Sequence, residues 1–220
     1  MPEPLITVVV VDDQPLFASG IAMLIDAQDD MACVGTASDG ASALTEVARL
    51  RPDIVLMDLR MPGLNGLDAT RALLSRGTAD DTPRVIVLTT LRRDDVVVRA
   101  LEAGASAFLT KDATTEQVLS SIRTVHAGDS IPDLATTLEF VSEMSATPDR
   151  AHDTFVVLSP REREVFLLVA RGLTNAEIAR SAYVSEATVK SHIAAILRKL
   201  ELRSRVQVVV FAHQNGLVAV

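Results

Sequence analysis

Five apolar runs alternate with five helical patterns in the first half of the sequence, and this order constrains the fold more than any other feature. The apolar runs span residues 5–11, 31–36, 54–57, 85–88 and 107–109. Apolar residues at three- and four-residue spacing, typical of helices, span 15–28, 41–50, 67–75, 94–103 and 115–126. Val8–Val11 is apolar throughout, which is typical of a strand buried on both faces. We therefore predict right-handed βαβ units that form a doubly wound, five-stranded parallel sheet over residues 1–127.

The pattern changes after Ala127, where glycine and proline residues interrupt a polar stretch. We predict a linker over residues 128–157. A short helix is expected within it, because three of its apolar residues stand at helical spacing: Leu134, Leu138 and Val141.

Residues 158–220 carry the start signals of four short helices. Ser159-Pro160-Arg161-Glu162 places a capping serine before proline at the first helical position and glutamate at the third. Thr174 or Asn175, Ser185 and Ser204 are the expected caps of the next three helices. A small all-α domain is the predicted result.

The charges divide the chain into an acidic and a basic part. The formal net charge is −8, but residues 159–220 contribute +4 and residues 1–158 contribute −12. This asymmetry indicates two roles, with nucleic-acid binding in the second part. No apolar run approaches the roughly 18–20 residues that span a bilayer, so we expect a cytoplasmic protein. Cys33, the single cysteine, excludes an intramolecular disulfide and is interpreted as a small buried hydrophobic residue.

Charged and polar residues follow four of the five predicted strands. The carboxyl ends of parallel strands meet at one edge of an open sheet, where such folds bind ligands. The residues expected there are Asp12, Asp13, Asp58, Thr89 and Lys111. Three neighbouring carboxylates repel one another, and a hard divalent cation relieves that repulsion, so we predict a Mg²⁺ site. A carboxylate beside Mg²⁺ can attack a phosphoryl group, while a hydroxyl and an ammonium stabilise its oxygens.

Each of these residues alone has an ordinary structural interpretation. An acidic residue after a strand commonly caps a turn or a helix, and a lysine there is commonly solvated. The complete set at four strand ends is harder to explain by capping, and this favours the phosphoryl chemistry.

The set resembles the receiver domain of response regulators over residues 5–127. The resemblance is carried by Asp12-Asp13, by Asp58 within Met57-Asp58-Leu59-Arg60-Met61-Pro62-Gly63, and by Thr89 and Lys111. It implies that Asp58 is the phosphoacceptor and a metal ligand. Mg²⁺ would be bound by Asp12, by Asp13 directly and by the backbone carbonyl of Arg60.

The same resemblance assigns the remaining residues of the site. Thr89 would bond the phosphoryl group and Lys111 would pair with it. Phe108 matches the switch aromatic of such domains, although a core strand aromatic is an equally good interpretation. Arg60 and Leu91 stand at positions that tune phosphate hydrolysis in similar domains. The phosphoryl donor would be a phosphohistidine on a sensor histidine kinase.

The basic part resembles a LuxR-type helix-turn-helix DNA-binding domain. The matching segments are Leu158 to Val165, Gly172 to Ala179, and Val184-Ser185-Glu186-Ala187-Thr188-Val189-Lys190-Ser191-His192. On the predicted second helix of the motif, the candidate DNA contacts are Thr188, Lys190, Ser191, Ala194 and Arg198. The last helix would form a dimer contact through Ser204, Val208 and Phe211.

Three positions depart from the LuxR pattern. Ser181-Ala182 replaces a bulky leucine, Glu201 replaces a small turn residue, and Ala194 stands where relatives can carry a base-contacting lysine. These departures suggest fewer base-edge contacts. They leave the operator sequence open.

Together the two resemblances identify the chain as similar to the NarL/FixJ class of response regulators. They imply a transcriptional regulator without enzymatic activity beyond self-phosphotransfer and autodephosphorylation at Asp58, which binds operator DNA as a homodimer after phosphorylation. In the unphosphorylated protein the receiver would pack against, or misplace, the DNA-binding domain. Two alternatives stay open: a phosphatase that uses an Asp58 aspartyl-phosphate, and a receiver that acts as a phosphate-independent docking or ligand module.

Overall fold

A computed structural model of the chain describes residues 5–75, 82–90, 95–132, 137 and 157–218. The chain divides between His126 and Ala127 into two compact units. The division lies within one residue of the predicted end of the first domain. Most of the predicted linker, including its expected helix at Leu134, Leu138 and Val141, lies outside the described residues.

The N-terminal unit is a parallel five-stranded sheet with strand order β2-β1-β3-β4-β5. The strands are β1 (Ile6–Val11), β2 (Met31–Ala37), β3 (Ile54–Asp58), β4 (Arg84–Thr89) and β5 (Ala107–Thr110). Val8–Val11 and all of β3 are buried, as the continuous apolar runs predict for strands covered on both faces. The predicted five-stranded, doubly wound α/β fold is confirmed.

Five helices alternate with these strands: α1 (Pro15–Asp26), α2 (Gly40–Leu50), α3 (Gly66–Ser75), α4 (Asp95–Glu102) and α5 (Thr115–Ala127). Helices α1 and α5 bury Ile25 and Ile122 in a core with the inner residues of β1, β3 and β4. Cys33 packs partly against this core, and its burial raises the pKa of the thiol. Cys33 is therefore partly buried, whereas the sequence predicts a buried residue at this position.

The C-terminal unit contains four helices among its described residues: α6 (Pro160–Ala170), α7 (Asn175–Ala182), α8 (Glu186–Lys199) and α9 (Arg205–Gln214). Ser159 caps α6 and forms a capping box with Glu162, and Thr174 caps α7 in the same way with Glu177. Ser185 and Ser204 cap α8 and α9. These caps satisfy backbone donors that the first turn of each helix would otherwise leave open.

The helices of the C-terminal unit surround one apolar core. Phe166 of α6 is fully buried and meets Phe211 edge to face, with the ring centroids 6.0 Å apart. Ile178 of α7 and Ile196 of α8 complete the centre of this core. None of the helices in the described parts of the two units could span a bilayer.

Candidate functional site

The predicted polar residues meet at the carboxyl edge of the sheet because the parallel strands end in register. Val11 pairs with Met57, so that Asp12 follows β1 beside Asp58, the last residue of β3. Thr89 pairs with Thr110 at the ends of β4 and β5, and Lys111 comes next. The amide of Lys111 donates to the Thr89 carbonyl at 2.7 Å, which fixes the backbone of the lysine at this edge.

Lys111 stands at the centre of the site. Its Nζ lies 2.6 Å from Asp12 Oδ2 and 2.7 Å from Asp58 Oδ2. The side chains are 9% exposed for Lys111, 0% for Asp12 and 4% for Asp58, so both ion pairs are buried. The ammonium also lies 4.9 Å from the centroid of the Phe17 ring, within cation–π range.

The backbone holds the second oxygen of each buried carboxylate. The Arg60 amide donates to Asp58 Oδ1 at 3.1 Å, and the Gln14 amide donates to Asp12 Oδ1 at 2.9 Å. Each carboxylate therefore has a fixed orientation with one oxygen turned towards Lys111.

Gly66 allows the chain to pass close to Asp58. A Cβ atom at position 66 would lie 1.9 Å from the Asp58 carbonyl oxygen, which is far inside van der Waals contact. The Gly66 amide donates to the Leu59 carbonyl at 3.2 Å and holds the loop against β3. The Asn65-Gly66 pair thus provides a close approach beside Asp58 that only glycine permits.

Burial and the contacts between charged groups shift the pKa values of Asp58 and Lys111. Burial raises the pKa of the Asp58 carboxyl, although hydrogen bonds from Lys111 and the Arg60 amide act in the opposite direction. Burial alone would lower the pKa of Lys111, but the close contacts of its ammonium with the Asp12 and Asp58 carboxylates outweigh this effect and the pKa is raised. Lys111 therefore stays cationic and contacts both Asp12 and Asp58.

The carboxylates of Asp12, Asp13 and Asp58 fit the requirements of a hard divalent cation. One oxygen from each lies within 4.8 Å of the others. Asp12 Oδ2 is buried and, apart from its charge contact with Lys111, receives no hydrogen bond of good geometry, so it retains acceptor capacity. Asp13 is exposed and can complete a site from the solvent side while water fills other positions.

Two further predicted site residues are buried at the same end of the sheet. Thr89 is 1% exposed and Phe108 is 3% exposed. Phe108 lies on β5 opposite Val87 of β4, so its position as a strand aromatic of the interior is observed. Its switch role stays a prediction, and Leu91 lies outside the described residues.

The predicted DNA contacts share the exposed side of α8. All five are exposed: Thr188, Lys190, Ser191, Ala194 and Arg198. Val189, Ile193 and Ile196 of the same helix are buried in the core. One face of α8 therefore packs in the core while the other is exposed to solvent, as a recognition helix requires to enter the major groove.

A polar network that the sequence analysis did not predict lies at the start of α7. Asn175 Nδ2 donates to Asp129 Oδ1 at 2.9 Å, and Arg205 Nη1 donates to Asn175 Oδ1 at 2.7 Å. Burial lowers the pKa of the Arg205 guanidinium to about 10, an effect that nearby Asp129 opposes. Lys190 Nζ lies 3.0 Å from the same Asp129 oxygen. The one signal in the sequence was an acidic residue directly after Gly128, which is also typical of a turn.

Two of the three residues predicted to form the dimer contact, Ser204 and Val208, have intramolecular contacts. Val208 is 1% exposed and packs in the core of its own unit, because α9 is apolar on nearly all sides and one of those sides closes the bundle. The Ser204 hydroxyl accepts a hydrogen bond from the Gln207 amide at 3.3 Å as the cap of α9. These two side chains therefore have intramolecular roles. Phe211 is partly buried against Phe166, and its dimer role stays a prediction.

Comparisons with known families match both units. Residues 8–123 match the response regulator receiver domain, and residues 156–212 match the LuxR family of bacterial regulatory proteins.

Similarity to individual proteins extends along almost the whole chain. The nitrate/nitrite response regulator protein NarL of Escherichia coli is 34% identical over 96% of both chains. The transcriptional regulatory protein LiaR of Bacillus subtilis is 35% identical over 97% of this chain and 100% of its own. Among solved structures, the response regulator ChrA of a heme-sensing two-component system is 31% identical, with a TM-score of 0.51 over 97% of this chain and 99% of its own.

Proposed function

Because this chain belongs to the NarL/FixJ class of response regulators, DNA-binding transcriptional regulators of two-component systems, we propose that Asp58 is the phosphoacceptor that controls its DNA binding. The observation that supports this most strongly is the buried contact of Lys111 with both Asp12 and Asp58 at the edge of the sheet. Because desolvation offsets its attraction, a buried ion pair adds little stability compared with well-packed apolar side chains at the same place, which favours a functional reason for it.

The residues around Asp58 have separate parts in phosphoryl transfer. Asp12, Asp13, Asp58 and the Arg60 carbonyl would hold Mg²⁺, which when bound neutralises charge on the phosphoryl oxygens. The Asp58 carboxylate attacks phosphorus of a phosphohistidine on a sensor histidine kinase. The new oxygen–phosphorus bond forms as the phosphorus–nitrogen bond breaks, and the imidazole leaves with the electron pair and takes up a proton.

Lys111 and Thr89 recognise the product. The Lys111 ammonium, which lies between two carboxylates, transfers its contact to the phosphoryl oxygens of modified Asp58, and the Thr89 hydroxyl donates to another of them. Phosphorylation adds roughly −1.5 to −2 charge at a buried position. In the proposed switch, Thr89 and Phe108 repack towards that charge. This repacking shifts the equilibrium between two conformations of the protein. Water later hydrolyses the acyl phosphate, so each chain undergoes self-modification rather than turnover of a separate substrate.

The exposed face of α8 is the proposed DNA interface. Lys190 and Arg198 supply charge for phosphates and base edges, and Thr188 and Ser191 supply hydroxyls; Ala194 leaves room beside them. A homodimer would place two such helices in successive major grooves, about one DNA turn apart. This function places the protein in the cytoplasm, with DNA and the kinase as its partners.

Binding of a phosphoryl mimic tests the site directly. Beryllofluoride with Mg²⁺ should raise the melting temperature of the full chain, and Asp58→Asn should abolish this increase. Asp30→Asn removes an exposed carboxylate paired with Arg123 and should respond like the wild type. An equal increase in Asp58→Asn, or an increase without Mg²⁺, would contradict the proposed site.

A further inference from the structure

A carboxylate contacts both helices of the helix-turn-helix, α7 and α8. Asp129, in the segment Gly128–Pro132 of the C-terminal unit, places one oxygen 2.9 Å from Asn175 Nδ2 and 3.0 Å from Lys190 Nζ. Asn175 is the first residue of α7 and Lys190 lies on the exposed side of α8. One anionic oxygen thus bridges both helices of the motif.

The neighbouring contacts fix this geometry. The Asn175 amide donates to the Asp129 carbonyl at 3.0 Å, so the backbone also anchors the segment. Arg205 donates from Nη1 to Asn175 Oδ1 and from Nη2 to the Leu173 carbonyl. Because Oδ1 of Asn175 accepts from Arg205, its Nδ2 group must face Asp129. The two donors are therefore oriented towards one anion before any ligand arrives.

The same position suits a DNA phosphate. In a helix-turn-helix the first helix crosses the DNA backbone while the second lies in the major groove. Phosphate oxygens are bound there by side-chain amides, lysines and the positive end of a helix. Asn175 Nδ2 supplies the side-chain amide and Lys190 Nζ supplies the lysine, and an internal carboxylate already lies between them.

We propose that Asn175 and Lys190 form a phosphate-binding site for DNA, and that Asp129 is its intramolecular competitor. This inference depends on the proposed DNA role of α8. The Asp129 and Lys190 side chains are 41% and 53% exposed, so the ion pair is a surface contact that DNA can displace. Asp129 is also the first charged residue after α5, the last helix of the receiver. DNA must break the ion pair and bring its phosphate close to the displaced carboxylate.

Substitution of Asp129 separates competition from a structural role. Asp129→Asn keeps an oxygen acceptor for Asn175 and removes the charge. An exposed pair of this kind is worth about 0.2–1 kcal/mol, so DNA binding by the full chain should tighten by about 1.4- to fivefold. Binding is measured by fluorescence anisotropy on a short labelled duplex of mixed sequence, since phosphate contacts do not depend on sequence.

The salt dependence and a second substitution identify the cause. In the wild type the displaced Asp129 carboxylate takes up a salt cation when DNA binds, which offsets one released counterion, so Asp129→Asn should steepen the slope of log affinity against log salt by up to about 0.9. Lys190→Ala should weaken binding in the wild-type background and should remove the gain from Asp129→Asn. Glu164→Gln, which removes one negative charge from an α6 pair with Arg161, is the matched control and should give a smaller change.

The outcomes distinguish the two proposals. If Lys190→Ala leaves DNA binding unchanged, the proposed DNA face of α8 is wrong. If Lys190→Ala weakens binding but Asp129→Asn gives no gain, the DNA face stands and the competitor is refuted. A gain that persists in the double variant, or that Glu164→Gln matches, also refutes it, because simple reduction of negative charge would explain the result.

Discussion

Replacement of Lys111 by methionine should destabilise the N-terminal unit far more than the loss of an exposed ion pair. Methionine retains the length of the side chain but leaves Asp12 and Asp58 buried without their shared cation. At 2.7 Å and an effective dielectric constant near 20, each pair attracts by about 6 kcal/mol before desolvation. Desolvation of the ammonium offsets much of this, and removal of one partner from a buried pair costs about 3–5 kcal/mol.

Calorimetry of the full chain in chelator at neutral pH measures this loss. We expect the N-terminal transition to fall by roughly 10 °C for about 3 kcal/mol, with the C-terminal transition unchanged. Added Mg²⁺ should stabilise Lys111→Met more than the wild type, because a bound cation replaces the missing charge. The control is Arg123→Met, which removes a cation from the exposed pair with Asp30 and should cost at most about 1 kcal/mol. Equal losses in the two variants would refute the buried ion-pair argument.

Three further substitutions test individual contacts in the two units. Gly66→Ala should lower the N-terminal transition and the rate of acetyl phosphate labelling, since its methyl group would overlap the Asp58 carbonyl. The hydrogen bond from Lys199 is the main reason why the pKa of Glu162 is lowered from 4.5 to about 2. The C-terminal unit should therefore lose stability as the pH falls from about 4.5 to 2. Glu162→Gln should make the melting temperature of this unit less dependent on pH over that range. Glu201 has a left-handed backbone with φ of 55°, so Glu201→Gly should stabilise the C-terminal unit by about 1 kcal/mol in calorimetry.

A control variant or an internal reference in the same chain is available for each of these three predictions. Gly20→Ala adds a methyl group in α1 where nothing lies within 4 Å, so it should be neutral or stabilising and should leave labelling unchanged. For Glu162→Gln, the transition of the N-terminal unit provides the pH reference in the same scan. For Glu201→Gly, the matched substitution Glu201→Ala should gain nothing, because alanine keeps the Cβ that disfavours this conformation.

The sequence carried most of the information for the N-terminal unit. Strands such as β3 are buried on both faces, so their apolar runs mark them directly, and βαβ handedness then determines which ends share an edge. The meeting of Asp12, Asp58 and Lys111 follows from strand register alone. The position of Phe17 against Lys111 does not, since it depends on how α1 packs and not on local pattern.

In the C-terminal unit, the sequence predicts where the helices begin but not which tertiary contacts they make. Capping residues located α6 to α9 well, because a cap acts within one turn. The last helix is apolar on nearly all sides, so its sequence could not show that Val208 packs inward. The contact of Asp129 with Lys190 joins residues 61 positions apart, and only tertiary structure brings such a pair together.

Intact-protein mass, combined with a DNA mobility shift on the same samples, tests the central claim most directly. Wild type and Asp58→Asn are incubated with Mg²⁺ and acetyl phosphate. We predict that only the wild type gains one phosphoryl group and that the modified fraction binds DNA more tightly. Absence of a phosphoryl gain in the wild type, or equal modification and DNA binding in Asp58→Asn, would contradict control through Asp58.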